Sequence, residues 1–242
     1  MEDTITLQED WTTHHLLPCD GGYLQVEAGS HKKYPSFVRQ LEKRGIHPEQ
    51  IRYLFLTHHH EDHAGFTAAL KEASGCHIIT HRDAVPYLEK GEQARTRAGL
   101  VNWRSLLVVL YVFLTGWSLN FPPLALSEDD HVLEGDDDEL LRPLGVSGQV
   151  LYTPGHSSDS ISLLMDDGRC FCGDAAMNNP RWLGTRYCCI LMSDVEEYYA
   201  GWRKMIREGA RNVYPAHGQP FPAEKLELHL DHFTQEDLVG GR

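Results

Sequence analysis

The sequence predicts an α/β protein in which strands and helices alternate along the chain. Short apolar runs bounded by glycine, proline or polar clusters are typical of strands, and stretches with apolar residues on one face are typical of helices. Histidine and aspartate side chains also gather at the ends of several predicted strands. Since sheet scaffolds present ligands from loops at strand ends, we expect these residues to serve as ligands.

The first half of the chain contains three predicted strands and three predicted helices. Compact apolar runs predict strands at 21–28, 51–56 and 76–80. Helical patterns are found at 35–44, 65–73 and 82–90. The strand at 51–56 leads directly into the densest histidine cluster of the chain.

The second half repeats this alternation. Strands are predicted at 149–152, 160–165, 169–172 and 212–214. Asp194 and Glu197 have the spacing of a capping box, so a helix is predicted from there to about Gly209.

The composition is that of a globular protein with an acidic surface. Of the 242 residues, 41% are hydrophobic and 24% are charged, which is enough to bury a sizeable core. The formal net charge is −13, and the densest basic group, Arg95, Arg97 and Arg104, is sparse. Because such a surface repels phosphate backbones, we expect a small-molecule substrate and no nucleic acid.

The cysteines and the N-terminal residues indicate in which cellular compartment the protein is expected. The six cysteines contain no CxxC pair, and the first residues show neither a basic start nor an apolar run. We therefore expect a cytoplasmic protein with reduced thiols.

The segment 57–63 carries the pattern HxHxDH, formed by His58, His60, Asp62 and His63. Imidazole and carboxylate are the usual ligands of zinc and similar divalent ions. In an extended stretch the first three alternate onto one side, and a turn after Asp62 brings His63 to a neighbouring position. One loop could thus supply two ligands to each of two adjacent ions; the alternative is a solvated polar loop.

Three later residues are weak signals individually. His156 could be a histidine of a turn, Asp174 a helix N-cap and His217 a loop histidine. Their order and settings are more specific. Taken together, HxHxDH, TPGHS, CGDA and PAHG resemble the metallo-β-lactamase superfamily, and the resemblance covers about Gly21 to Gly218.

The resemblance implies an αββα sandwich, with two mixed sheets packed face to face, helices outside and the site at one edge. It also implies two divalent ions, Zn²⁺ first and Mn²⁺ or Fe²⁺ as alternatives. One ion would be held by His58, His60 and His156, the second by Asp62, His63 and His217, with Asp174 bridging. A hydroxide shared by the ions would attack a carbonyl carbon, with Asp62 orienting it.

The same resemblance narrows the substrate class. Secreted lactamases of the family use a cysteine at the second ion and lack the Asp62–His63 ending, and glyoxalase II relatives carry a further helical domain. Stand-alone hydrolases of esters, thioesters or lactones remain. Alternatives are a mononuclear iron enzyme that resembles persulfide dioxygenases, and a non-catalytic sensor that keeps the metal. Asp159 departs from the family, which often has glycine there, and this puts the loop shape beside His156 in doubt.

We expect a single domain over 1–242 with a hydrophobic insert at about 92–130. Residues 105–127 carry no charge. A stable membrane span is opposed by Gly116 and Asn120 within the insert, and by ligands on both sides of it that must meet at one site. Its position favours a cap over the active-site mouth that selects an acyl or aromatic substrate. Core packing or a homodimer contact is the alternative.

The remaining candidates lie near the ligands. His59 and Glu61 alternate with the predicted ligands and are expected to support them or to face solvent. The loop after Asp174 offers four candidate substrate-binding residues, with surface packing as the alternative: Arg181, Trp182, Arg186 and Tyr187.

Overall fold

Strands alternate with helices through most of the chain, as the sequence predicts. The structure is a computed structural model that describes residues 4–94 and 98–240. Arg95 and Arg97 of the basic group, which are also part of the predicted insert, lie outside the described residues.

Thirteen strands and seven α-helices are found in the described part of the chain. The strands are β1 (Ile5–Glu9), β2 (Thr12–Cys19), β3 (Gly22–Val26), β4 (Ile51–Phe55), β5 (His77–His81), β6 (Gly99–Leu100), β7 (His131–Leu133), β8 (Gly148–Tyr152), β9 (Ile161–Met165), β10 (Arg169–Gly173), β11 (Leu191–Met192), β12 (Asn212–Pro215) and β13 (Phe221–Pro222). The helices are α1 (Tyr34–Glu42), α2 (Glu61–Ala64), α3 (Thr67–Ser74), α4 (Val85–Lys90), α5 (Leu106–Thr115), α6 (Val195–Arg207) and α7 (Glu224–Glu227).

The strands form two mixed sheets and a small ribbon. The first sheet has the order β1-β2-β3-β4-β5-β7, in which β3, β4, β5 and β7 run parallel. The second has the order β13-β12-β10-β9-β8, in which β10 and β12 are the parallel pair. Strands β6 and β11 pair antiparallel to each other.

Side-chain alternation along the strands builds three layers of core. In β4, Phe55 packs between the two sheets with Phe171 of β10, whereas Leu54 faces α1 and contributes to the core beneath Phe37. On the far side, Trp202 of α6 packs against the second sheet. The order helix, sheet, sheet, helix follows, and the predicted αββα sandwich is confirmed.

The sandwich brings the predicted ligand loops to one edge. The loop with His58 follows β4, Asp174 follows β10, and His217 follows β12. Because β10 and β12 are parallel, their carboxyl ends lie side by side. The backbone bond from the Ile161 N–H to the Thr57 carbonyl, 2.9 Å long, joins the end of β4 to the second sheet.

Among the described residues, no helix is both long enough and apolar enough to cross a membrane. The apolar insert instead forms α5, in which no residue is fully buried. One side of α5 lines a cavity above the predicted ligands.

Candidate metal centre

The HxHxDH segment leaves β4 in extended form and then turns into a helix. His60 keeps extended backbone angles (φ −62°, ψ 151°), and α2 begins at Glu61. The turn predicted after Asp62 is therefore wrong in position, since Asp62 and His63 already lie in α2. The earlier turn separates Asp62 and His63 from His58 and His60, because neighbouring helical residues point in different directions.

Three histidines form the first set of donor atoms. Nitrogen atoms of His58, His60 and His156 lie within 4.8 Å of one another, and all three side chains are buried. The Nε2 atom of His156 is 3.0 Å from Nδ1 of His60. This set contains the three residues that the sequence assigned to one ion.

A second set combines a carboxylate with two histidines. Donor atoms of Asp62, His63 and His217 also lie within 4.8 Å of one another. The Nε2 atoms of His63 and His217 are 3.1 Å apart, and Asp62 Oδ2 lies 3.3 Å from Nε2 of His217.

Asp174 lies between the two sets. Its Oδ1 atom is 3.5 Å from Nε2 of His63 and 3.4 Å from Nε2 of His217. Its Oδ2 atom is 3.7 Å from Nε2 of His156 in the first set. One carboxylate therefore faces both sets, which is the arrangement needed to bridge two ions. All seven predicted ligands are thus brought together.

Hydrogen bonds on the far side of the rings direct lone pairs toward the centre. The Nδ1 atoms of His156 and His217 lie 2.9 Å and 2.8 Å from the carbonyls of Leu191 and Trp11. Since a carbonyl can only accept, each Nδ1 carries a proton and leaves Nε2 with a free lone pair when the ring is neutral. Anchored imidazoles of this kind are typical of metal ligands.

His58 is fixed in the same way through a threonine. The Thr57 hydroxyl donates to Oε1 of Glu27 (2.6 Å) and therefore accepts from Nδ1 of His58 (3.0 Å). Nε2 of His58 and Oδ1 of Asp174 are buried without a hydrogen-bond partner among the described residues. Buried acceptor atoms without a partner destabilise a fold, and a cation placed among them would satisfy them. The residues therefore fit divalent metal ions.

The two sets differ in their electrostatics. Burial, reinforced by the neighbouring histidines, holds the pKa of His58 and of His60 well below the ordinary value. Burial alone would also lower the pKa of His63, but the carboxylates of Glu27, Asp62 and Asp174 outweigh it and raise this pKa to about 10. The second set therefore attracts positive charge strongly, whereas His58 and His60 of the first set present neutral imidazoles.

Glu27 is a supporting residue that the sequence analysis missed. It is buried at the end of β3 with a positive φ of 73°. Besides accepting from Thr57, it lies 3.1 Å from Nδ1 of His63 through Oε2. A single carboxylate thus positions one histidine of each set. The available signal was an acidic residue at the end of an otherwise apolar strand.

Neither His59 nor Glu61 faces solvent; both are buried supports. Oδ2 of Asp159 accepts from the backbone N–H of His59 and lies 2.9 Å from its Nδ1. The residue that departs from the family pattern therefore ties the loop of His156 to the HxHxDH loop. Glu61 accepts from the Ser30 hydroxyl and, at 2.8 Å, from the indole N–H of Trp117 just beyond α5.

Two cavities adjoin the centre. One, of about 320 Å³, has an apolar wall that includes Val108, Tyr111 and Val112 of α5, and metal-centre residues such as Asp62 and Asp174 also line it. The other, of about 410 Å³, shares His60 and His156 and has a more polar wall.

The four candidate substrate-binding residues do not line either cavity. Arg181 and Trp182 are exposed beside the start of α5, and Arg186 is exposed as well. Tyr187 packs against Phe221, with ring centroids 4.6 Å apart. A role in substrate binding stays a prediction.

The sequence matches one known protein family over most of its length. The model of the family described as the metallo-β-lactamase superfamily matches residues 20–217. The chain belongs to this superfamily.

Relatives within the superfamily are distant. The chain is 28% identical over 95 residues to a Beta-lactamase-like protein 2 homolog of Drosophila melanogaster, which covers 38% of this chain and 30% of that protein. It is 28% identical over 152 residues to a hydroxyacylglutathione hydrolase of Rhodopseudomonas palustris, covering 63% and 42% of the two chains. The chain thus matches less than half the length of either relative.

A solved metallo-β-lactamase of Cronobacter sakazakii with a HARLDQ motif has a similar structure. The TM-score is 0.60 at 20% identity, over 88% of this chain and 74% of the other. At this identity the similarity establishes the fold.

Proposed function

We propose that the chain is a dinuclear metal hydrolase that cleaves an ester, thioester or lactone with a hydrophobic acyl or aromatic group. The observation that carries this proposal is the position of Asp174 between two three-residue donor sets at the floor of an apolar cavity.

In this proposal, His58, His60 and His156 would hold one ion, and Asp62, His63 and His217 would hold the second. Asp174, which faces both sets, would be shared between them. Zinc suits this set of imidazole and carboxylate donors, and Mn²⁺ or Fe²⁺ accepts the same ligands. Two such ions would supply hydroxide near neutral pH and a Lewis acid for the carbonyl oxygen.

Asp62 and Asp174 are the proposed catalytic carboxylates. Both line the apolar cavity, and the side chain of Asp62 is 32% exposed, so it can accept a hydrogen bond from the attacking water and orient it. Asp174 would hold the two donor sets at a fixed separation. Positioning of the nucleophile is the contribution we assign to this pair.

The apolar cavity supports an acyl or aromatic substrate. Residues of α5 provide part of its wall, so we propose that the insert at 92–130 caps a single domain over 1–242. The similarity to a hydroxyacylglutathione hydrolase supports a thioester within this class. The cytoplasmic location and the homodimer stay predictions.

Metal content, measured by elemental analysis on protein purified without chelator, tests this proposal. We expect about two zinc or manganese ions per chain, and fewer in Asp174→Ala. Asp138→Ala, at an exposed aspartate, is the matched control and should keep both ions. Thioesters and lactones of graded chain length then identify the substrate. One iron per chain would instead favour the persulfide dioxygenase, and tight ligand binding without turnover would favour a sensor.

A further inference from the structure

Helix α5 is apolar on every side yet has no fully buried residue. Its sequence, LLVVLYVFLT, contains no charged side chain. An amphipathic surface helix places polar residues toward solvent, so a fully apolar helix on the surface is unusual. Large exposed apolar patches on soluble proteins mark contact sites.

The two faces of α5 have different surroundings. Val108 and Val112, one turn apart, line the cavity above the metal centre. The opposite face carries Leu110, Phe113 and Leu114, of which Phe113 is 78% and Leu114 72% exposed. Neither cavity is lined by these three outer residues. The cavity therefore accounts for the inner face of α5 and leaves the outer face exposed.

Aromatic residues extend the outer face at the start of α5. Trp103 is 66% exposed, and Trp182 is 58% exposed on the loop that packs beside it. The Arg104 guanidinium donates to the Trp182 carbonyl at 3.2 Å, which holds the two segments together.

The two segments that form this face carry only positive charge. In their described parts, 98–120 and 175–193, every charged residue is an arginine. Arg104 and Arg181, next to Trp103 and Trp182, are exposed. These two arginines form a basic rim at one end of the apolar face, on a chain whose net charge is −13.

We propose that this face, formed by Trp103, Leu110, Phe113, Leu114 and Trp182, docks on the surface of an anionic phospholipid bilayer without crossing it. Interfacial helices bury an apolar face at the boundary between headgroups and acyl chains, and tryptophan prefers that depth. Arginines at the rim attract anionic headgroups. The acidic remainder of the protein is repelled, which orients the apolar face toward the lipid.

A second copy of the chain is the competing occupant. A two-fold contact would place this same surface of each copy against the other, and so bring two arginine rims together. Like charges brought together oppose such a contact, whereas anionic headgroups neutralise the rim. The charge pattern therefore favours lipid. The proposal is independent of the hydrolytic activity.

Vesicle cosedimentation tests the proposal with the full-length, metal-loaded protein. We expect binding to phosphatidylcholine–phosphatidylglycerol vesicles that weakens with salt and is much lower on pure phosphatidylcholine. Phe113→Gln combined with Leu114→Gln should reduce partitioning by about a hundredfold, because two large apolar side chains no longer enter the lipid. The matched control is Leu228→Gln, at a leucine that is 69% exposed outside this face.

Circular dichroism and metal content are measured on each variant, and both should be unchanged because the substituted side chains are exposed. Absence of binding to either vesicle would overturn the proposal. Equal loss in Leu228→Gln would overturn it too, because the binding would then not depend on α5. A wild-type dimer that the double variant converts to monomer, without vesicle binding, would assign the face to a second copy.

Discussion

Glu27 supports one histidine from each donor set, through His63 directly and through Thr57 to His58. Its carboxylate also contributes to the raised pKa of His63. Hydrogen-bonded partners of this kind orient a ligand and increase its basicity.

Glu27→Gln should therefore weaken metal binding by about 10- to 100-fold, because the amide keeps the shape of the side chain and loses its charge. Competition with a chromogenic chelator measures the affinity. Asp130→Asn is the matched control, since Asp130 is a buried carboxylate that pairs with Lys71 away from the centre. It should lower stability and leave metal affinity unchanged; unchanged affinity in Glu27→Gln would contradict the assigned role.

His15 predicts how stability depends on pH. Burial, reinforced by the charges of His14 and Arg169, lowers the pKa of His15 to about 3. An unfolded histidine titrates near 6.5, so between these values the unfolded chain binds the extra proton. Its contribution to stability is complete above pH 6.5 and is lost as pH falls toward 3.

His15→Phe removes this titration and keeps an aromatic ring beside Phe171, whose centroid lies 4.9 Å away. Between pH 6 and 4 the free energy of unfolding of the variant should fall less steeply, by about 1.4 kcal/mol per pH unit. Urea denaturation at a series of pH values measures the slope. Parallel slopes for variant and wild type would refute the prediction.

At this scale the sequence predicted the six residues of the two donor sets and Asp174 between them, because the order of the four motifs is specific. It missed Glu27, and it left open whether His59 is a support. A single carboxylate at a strand end is too common a signal to identify a support, and the contact between His59 and Asp159 joins residues 100 positions apart. Such partners become visible only when the loops are brought together.

At the scale of elements, α5 separates two roles on its two faces. The inner face lines the apolar cavity through Val108 and Val112. Edge contact between the rings of Tyr111 and Trp11, with centroids 5.7 Å apart, joins α5 to the loop between β1 and β2 across that cavity.

Val108→Ala combined with Val112→Ala should reduce kcat/KM for a long-chain acyl ester or thioester by about tenfold, because four methyl groups leave the cavity wall. Turnover of a short-chain substrate should change little. Leu107→Ala with Leu110→Ala, outside the cavity lining, is the matched control and should preserve chain-length preference. An equal effect of both pairs would show that the cavity does not select the acyl chain.

Several elements escaped sequence prediction for physical reasons. Helix α5 has no polar face, so its apolar pattern has no helical period. Strands β1 and β2 contain charged or polar residues that the fold buries, such as Glu9, Thr13 and His14. The short strands β6, β7, β11 and β13, of two or three residues each, were not predicted either. The other strands and α6 were predicted within a few residues, and the Asp194 cap is confirmed by its 2.8 Å bond from the Glu197 N–H.

At the scale of the whole molecule, both sheets contribute ligands. His58, His60 and His63 follow the first sheet, whereas Asp174 and His217 follow strands of the second. Metal bound at this edge, as proposed, would therefore hold the two halves together in the native state. The unfolded chain does not retain the site.

Chelation should lower the melting temperature, and restored zinc should raise it again. A ligand at a hundred times its Kd stabilises by about 2.7 kcal/mol per site. Differential scanning calorimetry measures the shift. Asp174→Ala should respond less to chelator than wild type does, and an equal response in both would argue that the stabilising metal binds elsewhere.

The layered architecture was predictable only through the resemblance. Local patterns predict strands and helices, but they do not predict which strands are neighbours in a sheet. Strands β10 and β12, for example, pair in parallel although the long α6 connection separates them in sequence. The four motifs supplied that information because they belong together in one known fold.

Trp117 and Asn102 secure the two ends of the α5 segment to loops that carry predicted ligands. The Trp117 indole N–H donates to Glu61, next to Asp62, and the Asn102 amide donates to the Leu183 carbonyl at 3.0 Å, on the loop after Asp174. Outward movement of α5 would strain both attachments. By thermodynamic reciprocity, metal binding that orders these loops would also stabilise α5 in its position. Displacement of α5 would in turn lower the affinity of the site for metal. Substrate entry and metal affinity would then both depend on the same equilibrium, the inward and outward movement of α5.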